Sequence, residues 1–479
     1  MSTPMNDATH PALDPAAPVD VVVVGSGISG LTAAFRLQQQ GLAVEVLEAA
    51  PRAGGVIGTR NRGGFLFETG PNSTLDTTPL INALLADLGI AGERRDASAV
   101  AATRFIVRGG ALLALPTSPP AFFTTRAFSL SAKLRLLREP FIAPTPAGVE
   151  ESIAAFVRRR LGNEFLDYAI DPFVAGIYAG DPERISVPAA FPRLHALEQK
   201  YGSLIRGQIA GARERRKNAE KAKNVAASFS FAGGMQTFTD ALAGKLARVR
   251  TGVRVTRLAR NDDGSYAVEG DASGTPLVRR ARSVVLACAA GAAGELVRPL
   301  APAAAAALAA IDYAPVAVAA SAYRRADIAH TLAGFGFLVP KKEQRSILGT
   351  LFSSSMFAGR APEGAALLTS FIGGRRNPDL PARPDDDLAR MVHAELAALV
   401  GAAAAPLWTE ITRWPRAIPQ YDLGHRERLA QLDTAEAALP GLRFCASYRG
   451  GVSVGDCIKS AHAAVESVAR YLAPTRRPG

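Results

Sequence analysis

One stretch, Val19 to Glu48, sets the terms for the rest of the chain. It reads VDVVVVGSGISGLTAAFRLQQQGLAVEVLE. The β-branched run Val21–Val24 suits a short parallel strand buried on both faces. Gly25, Gly27 and Gly30 follow in the spacing G-x-G-x-x-G. Leu31, Ala34 and Leu37 then recur at helical intervals, and Gly41 suits the helix C-terminus. A second strand, Ala43 to Leu47, ends on Glu48. Gly25 permits a tight turn, Gly27 lets backbone approach a pyrophosphate, and Gly30 lets helix meet strand. The helix N-terminus offers free N–H groups to phosphates, and Glu48 stands where a carboxylate accepts from a ribose. This order of elements predicts a Rossmann-like dinucleotide-binding domain.

The following residues, EAAPRAGG and then GGFLFETGPNS at 63–73, extend the motif. The pattern E-x-x-x-R-x-G-G resembles FAD-binding oxidases of the amine oxidase superfamily. That resemblance favours FAD over NAD; alone, Arg52 in a Gly-rich surface loop is an equal alternative.

The composition excludes several classes. With 479 residues, 48% hydrophobic and 20% charged, the chain has enough apolar material for two or three packed domains. The net charge of +12 favours anionic partners: a carboxylate substrate, acidic lipid or nucleic acid. No nucleic-acid-binding signature is present, so nucleic acid is set aside. Cys288, Cys445 and Cys457 match no zinc spacing, and the six histidines are scattered, so no metal is expected. Residues 303–322 are alanine-rich and broken by Asp312 and Pro315, which argues against a membrane-spanning helix.

Taken in order, residues 1–18 read as a disordered tail. Residues 19–100, 225–310 and 401–479 are expected to form the FAD-binding domain. Residues 101–224 change character and are expected to form a separate region. It starts with a hairpin turning at Gly109–Gly110. Phe122, Phe123, Phe128, Leu130, Leu134 and Leu137 then alternate with Arg126, Lys133, Arg135 and Arg138. This composition suits either an interfacial membrane segment or an amphipathic helix packed on the core. A basic run from Arg213 to Lys223 reads as a solvated helix face. Residues 311–400 are expected to form an antiparallel sheet with strands near 316–323, 334–339, 347–352 and 366–372. A helix follows from Asp385 to Val400. Leu351 and Phe371 share a parity with Ile347 and Leu367, giving one apolar face that is either core or pocket wall. In the last stretch, Ile458, Ala461, Val465, Val468 and Leu472 mark one helical stripe. Its N-terminus near Val452–Val454 is suited to the negative charge of a reduced flavin.

Four segments carry a more specific resemblance: DPFVAGIYAGDPERISVPAAFPRL, GFGFLVPKKE, LGTLFSSSMF and RGGVSVGDCI. Together they resemble the protoporphyrinogen oxidase family, from Val19 to Leu472 in the family's order. The resemblance implies an α/β fold in three interleaved parts: FAD domain, an antiparallel substrate-binding sheet domain at 311–400 and a helical membrane-binding and substrate-entry domain at 101–224. It implies oxygen-dependent, six-electron oxidation of a porphyrinogen, with non-covalent FAD and H2O2 as by-product. It further implies a cytoplasmic protein, peripheral on the cytoplasmic face of the cell membrane, and admits a homodimer and product hand-over to a ferrochelatase.

Residue by residue, the resemblance puts cofactor positions on Gly25, Ser26, Gly27, Ile28, Ser29 and Gly30, then on Glu48, Ala49, Arg52, Gly55 and Val56. Gly70, Pro71, Asn72 and Ser73 follow, with Val255, Trp414, Val452, Ser453 and Val454 completing the set. Arg104 falls where a guanidinium pairs with a substrate carboxylate; its bland alternative is the surface of a hairpin. Leu338, Leu351 and Phe371 fall on residues flanking a pyrrole ring, with Phe335 and Gly336 beside them. Phe335 is out of phase with Leu338 on a regular strand. Gly176 falls where a backbone carbonyl faces the pyrrole nitrogens. Asn72 is the candidate catalytic residue near the flavin, or else an Asx-turn residue after Pro71. No general base stands out. Protoporphyrinogen IX and coproporphyrinogen III both remain as substrates, and an amine oxidase or phytoene-desaturase-like activity is the more distant alternative.

Overall fold

The structure is a computed structural model that describes residues 19–116, 119–146, 148–215 and 226–473. The expected tail at 1–18 and most of the basic run to Lys223 lie outside the described residues.

The first sheet contains the Val19–Val24 strand at its centre. Val44–Leu47 and Thr275–Leu286 pair with it in parallel, Val249–Arg250 adds one edge, and Leu442–Phe444 pairs in parallel with Thr275–Leu286. Val21 and Val23 enter one core and Val22 and Val24 the other. Burial on both faces explains why the strand is continuously apolar rather than alternating. On one face lie the helices Ile28–Gln39 and Val454–Leu472, the latter burying Ile458, Ala461, Val465, Val468 and Leu472 as expected. On the other lie Ala290–Val297, Pro302–Ala309 and His425–Ala438. Residues 303–322 resolve into that short helix and the Tyr313–Arg324 strand.

The second sheet is antiparallel except for one pair. Its order is Trp408–Pro419, Tyr313–Arg324, Ala365–Gly373, Ile347–Leu351, Gly336–Leu338, Arg104–Arg108 and Ala111–Ala114. The hairpin turns at Gly109 and Gly110, with φ of +60° and +78°, the left-handed pair a two-residue turn needs. The sheet thus draws two strands from before residue 311 and one from beyond 400. Its back is covered by the helix Asp385–Val400, through Leu388, Val392 and Leu396.

A helical region, 119–215, leans on the other face of this sheet. Arg160, fully buried, ties it together: Nη1 lies 2.7 Å from Glu139 Oε1, and Nε donates to Glu198. Two carboxylates around one guanidinium satisfy a charge that would otherwise be costly to bury. The chain passes through a π-helical turn, Leu166–Ile170, into the helix Asp171–Tyr178.

Candidate active site

At the nucleotide end, the Ile28–Gln39 helix starts from Gly27 with no side-chain cap, so its first N–H groups are left for another acceptor. A Cβ placed on Gly27 would meet nothing within 4 Å, whereas one on Gly30 would lie 2.0 Å from Gly25 O. Gly30 is required by packing; Gly27 opens onto space. Gly54 N donates to Ser26 O at 2.9 Å, and a Cβ on Gly55 would lie 3.1 Å from Gly27 Cα. The two glycine-rich segments therefore meet. Arg52 holds the second of them, donating to Ala53 O at 2.7 Å and Gly55 O at 3.2 Å. Glu48 Oε2 accepts from Ser26 N and Oγ, each at 2.7 Å, and Oε1 accepts from Ala50 N at 2.8 Å. The carboxylate is thus fixed at the end of the second strand. Val255 lies at a bulge of the neighbouring strand, whose Val253 N donates to Glu48 O at 2.8 Å.

The Gly70–Ser73 segment bridges this end to the antiparallel sheet. A Cβ on Gly70 would lie 2.0 Å from Val56 O, so the Val56 segment runs directly alongside. Trp414 Nε1 donates to Thr69 O at 2.6 Å, which docks the segment on the sheet. Asn72 Oδ1 stands 3.5 Å from Ser353 Oγ, while its Nδ2 is buried with no partner. An unpaired buried amide is costly, so Asn72 Nδ2 points to an absent acceptor. On the far side, Ser453 caps the Val454–Leu472 helix by accepting from Asp456 N at 3.2 Å.

The candidate substrate wall consists of two rows across adjacent strands. Register places Arg104, Gly336, Leu351 and Thr369 in one row, and Ile106, Leu338, Gly349 and Phe371 in the next. In each row a glycine separates two side chains. Leu338 packs beside Gly176, where an added Cβ would lie 3.0 Å from its Cδ2, and Phe371 clusters with Ala175 and Trp414. Gly176 sits in the last turn of its helix, where carbonyls lack helical partners. Asp171, at that helix's start, accepts from Lys341 N at 2.7 Å and Arg376 Nη2 at 3.0 Å. Burial raises its carboxyl above the usual range, against the pull of Arg376.

Two expectations about parity change. Ile347 pairs with Ile372 and faces the Asp385–Val400 helix, opposite to Leu351, because a bulge between Ile347 and Gly349 breaks the alternation. Phe335 reaches the Leu351 cluster although out of phase with Leu338, because it precedes the strand and Gly336, the strand's first residue, turns the chain there with φ +140°. Arg104 is exposed on the wall side, its guanidinium 5.3 Å from the Phe335 ring centroid. Its side chain makes no hydrogen bond or ion pair among the described residues.

Sequence reasoning missed Ser353, which links Asn72 to Thr369, and the buried pair Arg360–Glu68 at 2.9 Å. Neither stands in a pattern that a single sequence exposes.

With this geometry in place, comparison with known proteins is decisive. The family model for flavin-containing amine oxidoreductases matches residues 28–469. This chain belongs to that family. As a flavin oxidoreductase it takes FAD, and the site fits: an uncapped helix start at an open Gly27, a carboxylate fixed at the end of the second strand at Glu48, and an orphaned amide at Asn72. Among its relatives, protoporphyrinogen oxidase 2, chloroplastic/mitochondrial, from Arabidopsis thaliana is 34% identical, over 94% of each chain. Coproporphyrinogen III oxidase from Bacillus subtilis (strain 168) is 30% identical, over 94% of this chain and 98% of its own. A crystal structure from Exiguobacterium sp. 255-15 superposes with a TM-score of 0.77 at 24% identity, over 95% and 99% of the two chains, which establishes the shared fold.

Proposed function

We propose that this flavoenzyme oxidises protoporphyrinogen IX to protoporphyrin IX, with oxygen as acceptor. The supporting observation is the two-row wall opposite the Asn72 segment. It spans four strands, about 14 Å at the usual inter-strand spacing, and ends on an unpaired arginine. Leu338 and Phe371 offer apolar faces to a flat ring. The Gly176 carbonyl accepts from pyrrole N–H groups, and Arg104 pairs with a propionate through its planar fork. Asn72 Nδ2 donates toward the reacting edge from the cofactor side. Bound FAD would supply two-electron redox chemistry, so the six-electron oxidation would need three rounds, with O2 as final acceptor and H2O2 as by-product. The chain's share is to orient the ring, hold its carboxylate and exclude water, since no wall residue is a suitable base. Coproporphyrinogen III is the competing substrate, because a relative named for it matches over the same span. Purified protein is assayed with both porphyrinogens by porphyrin fluorescence and peroxide yield. Turnover of neither rejects this reading; faster turnover of coproporphyrinogen III assigns the other substrate.

FAD is held without a covalent link. Cys445 and Cys457, which lie near the flavin end of the chain, are both buried, and burial pushes the Cys445 thiol up to about 12, which disfavours its thiolate. Acid precipitation releases the yellow colour into solution; colour left in the pellet overturns this.

The helical region rests on a membrane surface. Leu130, Leu134 and Leu137 are 71%, 55% and 62% exposed on one helical face, and Phe141 is 82% exposed nearby. Arg126 and Arg138 are exposed beside them. No helix among the described residues is long and apolar enough to cross a membrane, so this is contact from one side. Flotation with anionic vesicles tests it, and a triple Leu→Ser variant at 130, 134 and 137 stays at the bottom.

A further inference from the structure

The segment Gln420–His425 has no role in the reaction so far, yet it touches both halves of the site. Gln420, Tyr421 and His425 are 1%, 2% and 0% exposed. Gln420 Nε2 donates to Tyr178 O at 2.8 Å, holding the C-terminal end of the helix that carries Gly176. The next residue faces the other way. Tyr421 Oη donates to Ser447 O at 2.7 Å and accepts from Gly451 N at 2.9 Å. Its ring stacks on His425, 4.1 Å between centroids and 16° from parallel. His425 Nε2 lies 3.0 Å from Tyr448 O. A carbonyl accepts only, so Nε2 carries a proton.

Three main-chain groups of the Ser447–Gly451 loop are thus fixed by two side chains. The loop needs fixing. Gly450 and Gly451 have φ of +83° and +122°, a backbone with few steric restraints of its own. It leads directly into Val452, Ser453 and the start of the Val454–Leu472 helix. Shape alone would require only a phenylalanine at 421. The hydroxyl, with both its bonds spent on the ends of one loop, serves that loop.

We propose that Tyr421 is a positioning residue, which sets the Val452–Val454 helix start at a fixed distance from the Gly176 wall and thereby tunes the bound flavin. This rests on the flavin and porphyrinogen reading given above. Tyr421→Phe keeps the ring stacked on His425 and removes both hydrogen bonds. The helix start then loses its fixed placement, and its positive end stabilises the negative charge of the reduced cofactor less well.

The test uses the FAD-loaded enzyme. Tyr421→Phe and His425→Gln are compared with the parent and with Ser321→Ala, a buried hydroxyl paired to Thr409 at the far end of the sheet. Three readings are taken without substrate: reduction potential against a reference dye, the visible flavin spectrum, and FAD affinity of the apoprotein. The potential is expected to move negative and the flavin bands to shift in Tyr421→Phe, with Ser321→Ala like the parent. With porphyrinogen, kcat falls about ten-fold, the scale of a small misplacement, while KM is unchanged. A Tyr421→Phe enzyme with the parent's potential and spectrum overturns the proposal, as does an equal shift in Ser321→Ala. If Tyr421→Phe does not retain FAD, His425→Gln decides: a shifted potential supports the proposal and an unchanged one overturns it. An enzyme that turns over neither porphyrinogen defeats the proposed function alone, because the flavin readings need no substrate.

Discussion

The nucleotide end and the substrate wall meet at Asn72, but they are built by different rules. At the nucleotide end, backbone does the work. Gly30 and Gly55 are set by close main-chain neighbours, Gly27 opens onto space, and the groups on offer are N–H groups of helix starts. At the wall, side chains do the work, and their placement depends on strand register and one bulge. Backbone-built sites tolerate almost no substitution at a few positions. Wall-built sites tolerate many, each at a moderate cost.

The sharpest way to break this contrast is at the glycines. Gly30→Ala puts a methyl 2.0 Å from Gly25 O, so soluble yield and flavin content should both collapse. Gly27→Ala has free space for its methyl, so the apoprotein should melt at the parent's temperature. That methyl occupies the room a pyrophosphate needs, and FAD affinity should fall about a hundred-fold or more. Equal FAD affinity in Gly27→Ala would show that the cofactor does not approach there.

On the wall, Arg104→Ala should lower kcat/KM ten- to a hundred-fold, from loss of a charge-assisted pair of about 1.5–3 kcal/mol. The flavin spectrum should not change, and Arg104→Lys should recover only part. Parent rate and KM in Arg104→Ala would return this residue to the surface of a hairpin.

Asn72 stands on the border and tests which rule governs it. Asn72→Ala should slow flavin reduction by porphyrinogen while leaving apoprotein melting unchanged or slightly higher, since its Nδ2 has no partner to lose. A large drop in melting temperature with normal reduction would make it a turn residue only.

The smallest effect concerns pH. Burial lowers the His425 ring to about 4. The unfolded chain, with an ordinary imidazole near 6.5, binds a proton first as the medium is acidified. Stability is therefore full above about pH 6.5 and lost as pH falls toward 4, by at most about 1.4 kcal/mol per pH unit for one proton. Melting curves from pH 7 to 5 should show this fall, with a shallower slope in His425→Asn.

Much of the nucleotide end was legible because its demands are local. A strand, three glycines and an acid in order leave few folds open. The Asp385–Val400 helix was equally plain, opened by three aspartates and closed by Gly401 in the left-handed region. The wall was legible only through resemblance. Its parity failed at Ile347, because a bulge has no reliable mark in sequence, and at Phe335, because one glycine conformation turns the chain where the strand begins. The bracket at Tyr421 was not legible at all. Its partners are carbonyls and an N–H group, and main-chain groups look alike at every position.

The Val454–Leu472 helix packs on Ile28–Gln39, and Arg104–Arg108 pairs in parallel with Gly336–Leu338. Each partner is made long before the other. At about 5–20 residues per second, a ribosome spends tens of seconds between the first phosphate-facing glycine and the last helix. During that interval the early strands have one bare flank and the hairpin has no sheet to join. The first glycine-rich turn and the last helix that packs beside it come together only once the chain is finished.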